Sequence, residues 1–155
     1  LIFVGVREDL GIAPSHPGPK AKPVTVREAL EGVEHEAVPE LDEKQERVFS
    51  QVTWGGNQTE VYGPGYGFSN RKVHPNKPAP TLTKMQSLSG FGSMVHYSEN
   101  RVLTVPEGKR LQSFPDQFDL GDGPYSERWA GIGNSVPPLM MKHVAKHVMD
   151  EVLED

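Results

Sequence analysis

The chain has 155 residues, 35% of them hydrophobic, with a formal net charge of −5. No run is apolar enough to cross a bilayer, no basic leader precedes an apolar core, and the negative sum argues against indiscriminate coating of nucleic acid. Cysteine is absent, which excludes disulfides and cysteine-based metal sites; the missing membrane and targeting signals point to the cytoplasm.

Leu1 to Val6 is a near-continuous apolar, β-branched run, the pattern of a strand buried on both faces in a parallel sheet. Gly11 to Pro23 is a loop dense in proline and glycine. Thr25 followed three residues later by Glu28 forms a capping box, which predicts a short helix to Leu30 or Val33. Glu34 to Asp42 is acidic and polar and reads as a linker. Leu41, Val48 and Val52, with Phe49 adjacent, have helical spacing and predict a second short helix.

From Trp54 to Asn70, glycines recur among aromatics and mark turns. Gly63-x-Gly65-x-Gly67 has no strand leading in and no helix following, so it does not read as a nucleotide loop. Irregular loops between short strands are expected here and on to His96, with Ser87 to Met94 as a flexible connection. Val61 to Tyr97 contains no Asp or Glu but does contain Arg71, Lys72, Lys77 and Lys84, whereas acid is concentrated between Glu28 and Glu60 and at the C-terminal end. A section basic only here suits contact with phosphate along one face, and it equally suits a solvated loop.

Arg101 to Phe118 predicts a helix with signals at both ends. Thr104 and Glu107 form a second capping box, and Pro106 falls in the first turn, where its missing N–H costs nothing. Lys109 and Arg110 sit near the negative end of the dipole, and Pro115 bars continuation. Asp119 to Ser126 is turn-rich, and a turn explains Asp116, Asp119 and Asp122 better than acid–base chemistry does. Gly133 to Pro138 reads as a tight turn, with Asn134 and Ser135 opening the last helix as an N-cap. From Leu139 to Leu153 that helix is amphipathic: Met141, Val144, Val148 and Val152 recur at i+3 and i+4, opposite Lys142, His143, Lys146, His147, Asp150 and Glu151. His143 and His147 are spaced like helical metal ligands, but no third ligand accompanies them, so no metal site is predicted.

The order Arg101-x-Leu103-Thr104-x-x-Glu107-x-x-Arg110-Leu111-Gln112-x-Phe114-Pro115-Asp116-x-Phe118, followed by Gly133-Asn134-Ser135-Val136-Pro137-Pro138, resembles the ninth and tenth conserved motifs of the DNA (cytosine-5) methyltransferases. Leu1 to Arg7 is similar to the strand after their eighth motif, and Pro78-Ala-Pro-Thr81-Leu82-Thr83 resembles the Thr-Leu element of their target-recognition domain. These segments cover most of the chain in the family's order. The resemblance implies an α/β fold: the C-terminal remnant of a Rossmann-like methyltransferase domain plus a small irregular, mainly β recognition domain. Residues 1–33 and 101–155 would belong to the former and 34–100 to the latter.

By the same resemblance, double-stranded DNA is the partner, met by Arg71, Lys72, Lys77, Thr81, Leu82, Thr83 and Lys84. Arg71 stands where the best-known members carry a base-reading arginine, although a plain surface arginine would fit the position as well. Lys72, Lys77 and Lys84 suit phosphates, which position without reading, and Thr81 would lie near the phosphate of a flipped nucleotide. Asn134, Ser135 and Val136 would line one wall of an S-adenosylmethionine pocket. Arg101, Glu107 and Arg110 would organise packing between domains, with Phe114, Pro115 and Phe118 as hydrophobic anchors.

The departures are large. Attack on carbon 6 of cytosine is the task of a cysteine thiolate in this family, and this chain has none. The Gly-rich first motif and the Glu-Asn-Val motif are missing, the family's Arg-x-Arg element would fall just before Leu1, and Gly131 stands where relatives usually have a polar residue. The chain is therefore expected to hold no catalytic residue, to complete the cofactor pocket only with a missing N-terminal catalytic portion (same or separate chain), and to be inactive alone. A bacterial or phage restriction-modification setting is implied. The alternative is a non-catalytic DNA-binding module derived from such an enzyme.

Overall fold

The computed structural model of the chain describes residues 2–19, 22–66, 70–86 and 92–153. Two compact units emerge: Leu1–Lys22 with Val136–Asp155, and Pro23–Ser135. The sequence-based boundaries at 33/34 and 100/101 both fall inside the second unit. Among the described residues, no helix is long and apolar enough to cross a membrane.

Local signals set most helix starts in the larger unit. In α1 (Val26–Leu30) the Glu28 amide donates to Thr25 Oγ1 and the Thr25 amide donates to Glu28 Oε2 at 2.8 Å. Helix α2 (Glu43–Phe49) lies within the predicted stretch and has a box that sequence reading passed over, Asp42 with Gln45. It buries Leu41, Val48, Phe49 and Val52 together with Val95. Helix α3 (Thr59–Tyr62) is a single turn ended by Gly63 at φ 85°, a left-handed position that glycine occupies without strain.

Among the described residues, regular strand is confined to β1 (Arg71–Lys72) and β2 (Met94–Val95), paired in parallel with Arg71 opposite Met94. On the other edge of β2, Val102 bridges Val95 antiparallel, the His96 amide donates to Arg101 O at 2.9 Å, and the Leu103 amide to Met94 O at 2.9 Å. The core of the unit is Val26, Val73, Leu82, Met94, Leu103, Val105, Trp129 and Ile132. It is closed by α4 (Val105–Leu111) and α5 (Tyr125–Asn134). A Cβ on Gly108 would stand 2.8 Å from the Trp129 ring, so the glycine lets these two helices meet closely. The predicted α4 is present with its capping box and with proline in the first turn.

Three expectations in this unit are corrected. Helix α5 was not foreseen, and Gly133 and Asn134 end it instead of forming a turn. Residues 34–42 are tied down and are not a loose linker: Glu36 pairs with Arg128, Glu40 bridges Arg101, and the Leu41 amide donates to Asn100 O at 3.2 Å. Of the expected anchors only Phe114 is half-buried; Pro115 is exposed and Phe118 is 45% exposed. The two phenyl rings pack on each other at 4.9 Å, which shields part of both without a core to enter.

The smaller unit contains a 3-10 turn (Glu8–Leu10) and α6 (Pro138–Val148), which passes into a π turn (Met149–Leu153). Ser15 Oγ lies 2.8 Å from His147 Nε2. Residues 2–6 form no strand, Phe3 is 84% exposed, and Leu1 lies outside the described residues. A doubly buried strand needs a neighbour on each edge and cover on both faces, and no described residue pairs with this run. The predicted last helix is present, but Leu139 and Met141 stay exposed, and Val144, Val148 and Val152 are half-buried.

Candidate nucleic-acid interface and a buried charged clamp

Arg101 leaves the edge of β2 and meets α4 in a forked ion pair. Its Nη1 donates to Glu107 Oε2 and its Nη2 to Glu107 Oε1, both at 2.8 Å, while Nε donates to Glu99 Oε2 at 2.8 Å. Both members of the fork are buried, Arg101 to 9% exposure and Glu107 to 5%. Glu107 Oε2 also accepts the Thr104 amide at 2.7 Å, so one carboxylate closes the capping box and the ion pair together. Burial alone would raise the Glu107 carboxyl; the Arg101 guanidinium and the Thr104 N–H outweigh it and hold the group below the usual carboxylate range. Charge-assisted, bidentate bonds of this type are the strong ones.

His96 is the third buried member. Its Nδ1 accepts the amides of Ser98 at 3.3 Å and Glu99 at 3.2 Å, and its Nε2 lies 3.8 Å from Glu107 Oε1. Burial pushes its pKa below the ordinary histidine value, with Arg101 acting in the same sense against Glu107 and Glu99. Arg110 does not join the fork. It pairs with Asp116 at 2.5 and 2.7 Å and donates to Glu31 O at 3.0 Å, stitching the end of α4 to the end of α1.

The segment from Thr81 to Lys84 has no regular structure, yet its backbone is held. Leu82 is buried in the main core, while Thr81, Thr83 and Lys84 face solvent. Trp129 Nε1 donates to Thr83 O at 3.0 Å, and Thr83 Oγ1 donates to Met85 O at 2.9 Å. Leu82 thus anchors the loop from beneath and presents its polar neighbours outward.

The candidate cations fare differently. Lys77 and Lys84 are exposed and Arg71 is half-buried, and none of these side chains makes a hydrogen bond or ion pair among the described residues. Lys72 turns its ammonium onto Phe49 O at 3.1 Å, which ties β1 to α2 and takes one of its three donors from any phosphate. Gly67 and residues 87–91 lie outside the described residues.

Asn134, Ser135 and Val136 do not cap the last helix. Pro137 occupies that N-cap with no side-chain bond; Ser135 is the C-cap of α5 and donates from Oγ back to Ile132 O at 2.6 Å. Asn134 is exposed with no side-chain partner among the described residues, and Val136 is 50% exposed. Sequence reading missed Trp129, Gly133 and His96 as structural actors. For α5 the signal was available: Tyr125, Trp129 and Ile132 recur at i, i+4 and i+7, a helical stripe.

Residues 15–150 match the family model for C-5 cytosine-specific DNA methylase. The chain is 35% identical to the Type II methyltransferase M.AquIB of Picosynechococcus sp., over 67% of this chain and 78% of that protein. It is 31% identical to the Type II methyltransferase M.NgoFVII of Neisseria gonorrhoeae, over 96% of this chain but only 44% of that protein. It also resembles, at TM-score 0.69 and 20% identity, a crystal structure from Escherichia coli ascribed to a DNA modification methyltransferase encoded within a prophage. That likeness covers 96% of this chain and 54% of the other. The chain therefore spans about half of that structure and less than half of the gonococcal relative, whereas the aligned part already makes up most of M.AquIB.

Proposed function

The chain belongs to the family of C-5 cytosine-specific DNA methylases, and from that premise we propose that it supplies target recognition and one wall of the cofactor pocket. The nucleophile would come from a cysteine-bearing portion outside these residues. What carries the reading is a pairing of features. The acid-free stretch from Val61 to Tyr97 offers Arg71, Lys77 and Lys84 without a side-chain partner among the described residues, in a chain with no cysteine at all. Lys77 and Lys84 would neutralise phosphates, Arg71 would fork onto a base edge, and Thr81 and Thr83 would approach the backbone. Residues 34–100 would act as the recognition domain and the flanks as parts of the catalytic domain. Lys72, already spent on Phe49 O, would contribute least.

S-adenosylmethionine, when bound, supplies the methyl group. The end of α5 would contribute a partial contact with it: the Asn134 side-chain amide has no partner among the described residues and can bond a polar group. Ser135 Oγ is already committed to Ile132 O, so its part would be to shape the turn. The exposed apolar side chains of α6 and of Phe3 agree with a surface that the absent portion would cover. M.AquIB, of which the alignment covers 78%, shows that a curated relative of about this length exists.

Two measurements test the proposal. Titration of a duplex with the chain at several salt concentrations should give a slope of log affinity against log salt near −2, for two phosphates at about −0.9 each. Methyl transfer from labelled S-adenosylmethionine should be nil for the chain alone and should appear on adding a cysteine-bearing N-terminal portion. Transfer by the chain alone would overturn the reading. Full DNA binding with no gain from the added portion would favour a stand-alone DNA-binding module.

A further inference from the structure

We infer that Trp129 and Gly133, on one face of α5, are positioning residues for the Thr81–Lys84 loop; the inference rests on that loop's meeting DNA. The loop lacks strand or helix to define its path, and its amides at Lys84 and Met85 find no backbone partner among the described residues. Its placement comes from α5. The indole of Trp129, fully buried, donates to Thr83 O at 3.0 Å. Four residues on, one helical turn along the same face, Gly133 brings bare backbone against the loop. A Cβ there would stand 2.4 Å from the carbonyl carbon and oxygen of Thr83 and from the amide of Lys84. A donor and a gap thus act on the same peptide group, one pulling its carbonyl and the other leaving room for it.

On the loop side the fit is equally close. Thr83 Oγ1 donates to Met85 O, and a Cβ on Gly92, whose φ is +94°, would stand 2.6 Å from that hydroxyl oxygen. Leu82 shares the core with Trp129 and Ile132. Shifting α5 therefore shifts the exposed Thr81, Thr83 and Lys84 side chains with it. The indole N–H gives direction as well as packing, because one fixed donor selects one orientation of the Thr83 carbonyl.

The test separates position from packing. Trp129→Phe keeps an aromatic ring but removes the donor. Ile132→Val trims the same core and leaves the donor in place. Backbone ¹⁵N relaxation of the full chain should show amide order parameters for residues 83–85 falling from about 0.85 to below about 0.6 in W129F, and holding in I132V. Duplex affinity should fall about ten-fold in W129F and less than two-fold in I132V. Unchanged order parameters in W129F, or an equal drop in both variants, would overturn the inference, as would a mobile loop with undiminished affinity. A wild-type chain that binds no duplex counts against the DNA reading of the loop, while the relaxation data still decide whether α5 holds it.

Discussion

Helices α4 and α6 share their sequence grammar. Each has proline in the first turn and basic residues in the last, Lys109 and Arg110 in one and Lys146 and His147 in the other. Their surroundings differ. In α4, Val105, Glu107 and Gly108 are buried, and Thr104 caps the first turn; in α6 no side chain is buried, and Pro137 offers no cap. A helix of 11 residues is marginal in water by itself, and what stabilises one in a protein is the cover over its apolar face. The contrast teaches that amphipathic spacing states a need for a partner surface, while capping and ion pairing state that one is at hand.

The comparison breaks most visibly at the clamp. Glu107→Ala leaves the Arg101 guanidinium in a buried position with the partly exposed Glu99 as its one remaining carboxylate among the described residues, beside the Val102 carbonyl. The expected loss is about 3–5 kcal/mol, since removing one partner of a buried pair leaves the other uncompensated. Urea unfolding measures it; a loss under about 1 kcal/mol would show that the fork does not hold α4 in place.

Gly133→Ala comes next. Its methyl would enter the space of the Thr83 and Lys84 backbone, and overpacking of this kind costs about 1–3 kcal/mol. A neutral or stabilising outcome, as alanine gives in an open helix position, would mean that α5 and the loop are not in contact.

Acid should loosen the clamp in two stages. The His96 pKa is lowered on folding, so as pH falls through the ordinary value of 6.5 the unfolded chain takes up the proton first and stability declines. Glu107 is lowered as well, so a second decline follows as pH falls through the carboxylate range and on to its folded value. Glu107, Arg101 and Glu99 are the charged groups facing His96. His96→Gln should flatten the upper stage alone, read from denaturant midpoints across pH; an unaltered upper stage would assign it to another group.

The smallest effect belongs to α6. Leu139, 55% exposed, should tolerate replacement by glutamine within about 0.5 kcal/mol in this chain. The same change should weaken recovery of methyl transfer in the mixing experiment. A large loss of stability in the chain alone would mean that α6 is already covered.

What could be read from residues alone followed the range of the forces involved. The boxes at Thr25–Glu28 and Thr104–Glu107 span three residues, and both are present as expected. The grouping of Arg101 with Glu107 came with the family resemblance, and the fork gives it a physical form. Helix α5 has one local signal, the stripe of Tyr125, Trp129 and Ile132, and its other signals are poor. It contains Gly131 and Gly133, and Pro124 at its N-cap provides no side-chain bond, so the decision lies with Trp129 and Ile132 packing far along the chain. The apolar run at the start misled for the opposite reason: β-branched residues favour a strand only when another strand stands ready to pair. Lys72 was grouped with Lys77 and Lys84 as a phosphate contact, and only the position of the Phe49 carbonyl sets it apart from them.

The parallel pairing of Arg71–Lys72 with Met94–Val95 has one more consequence. It staples shut both ends of the interval between them, with Leu82 pinned midway. The entropy of closing such a loop grows only logarithmically, by about 0.6 kcal/mol for each doubling of length. A change of length in that interval therefore costs little in closure entropy so long as the contacts of Leu82 and Thr83 with the core and α5 are kept. Descendants of this frame are free to trade one surface for another of different size without rebuilding the hydrophobic interior.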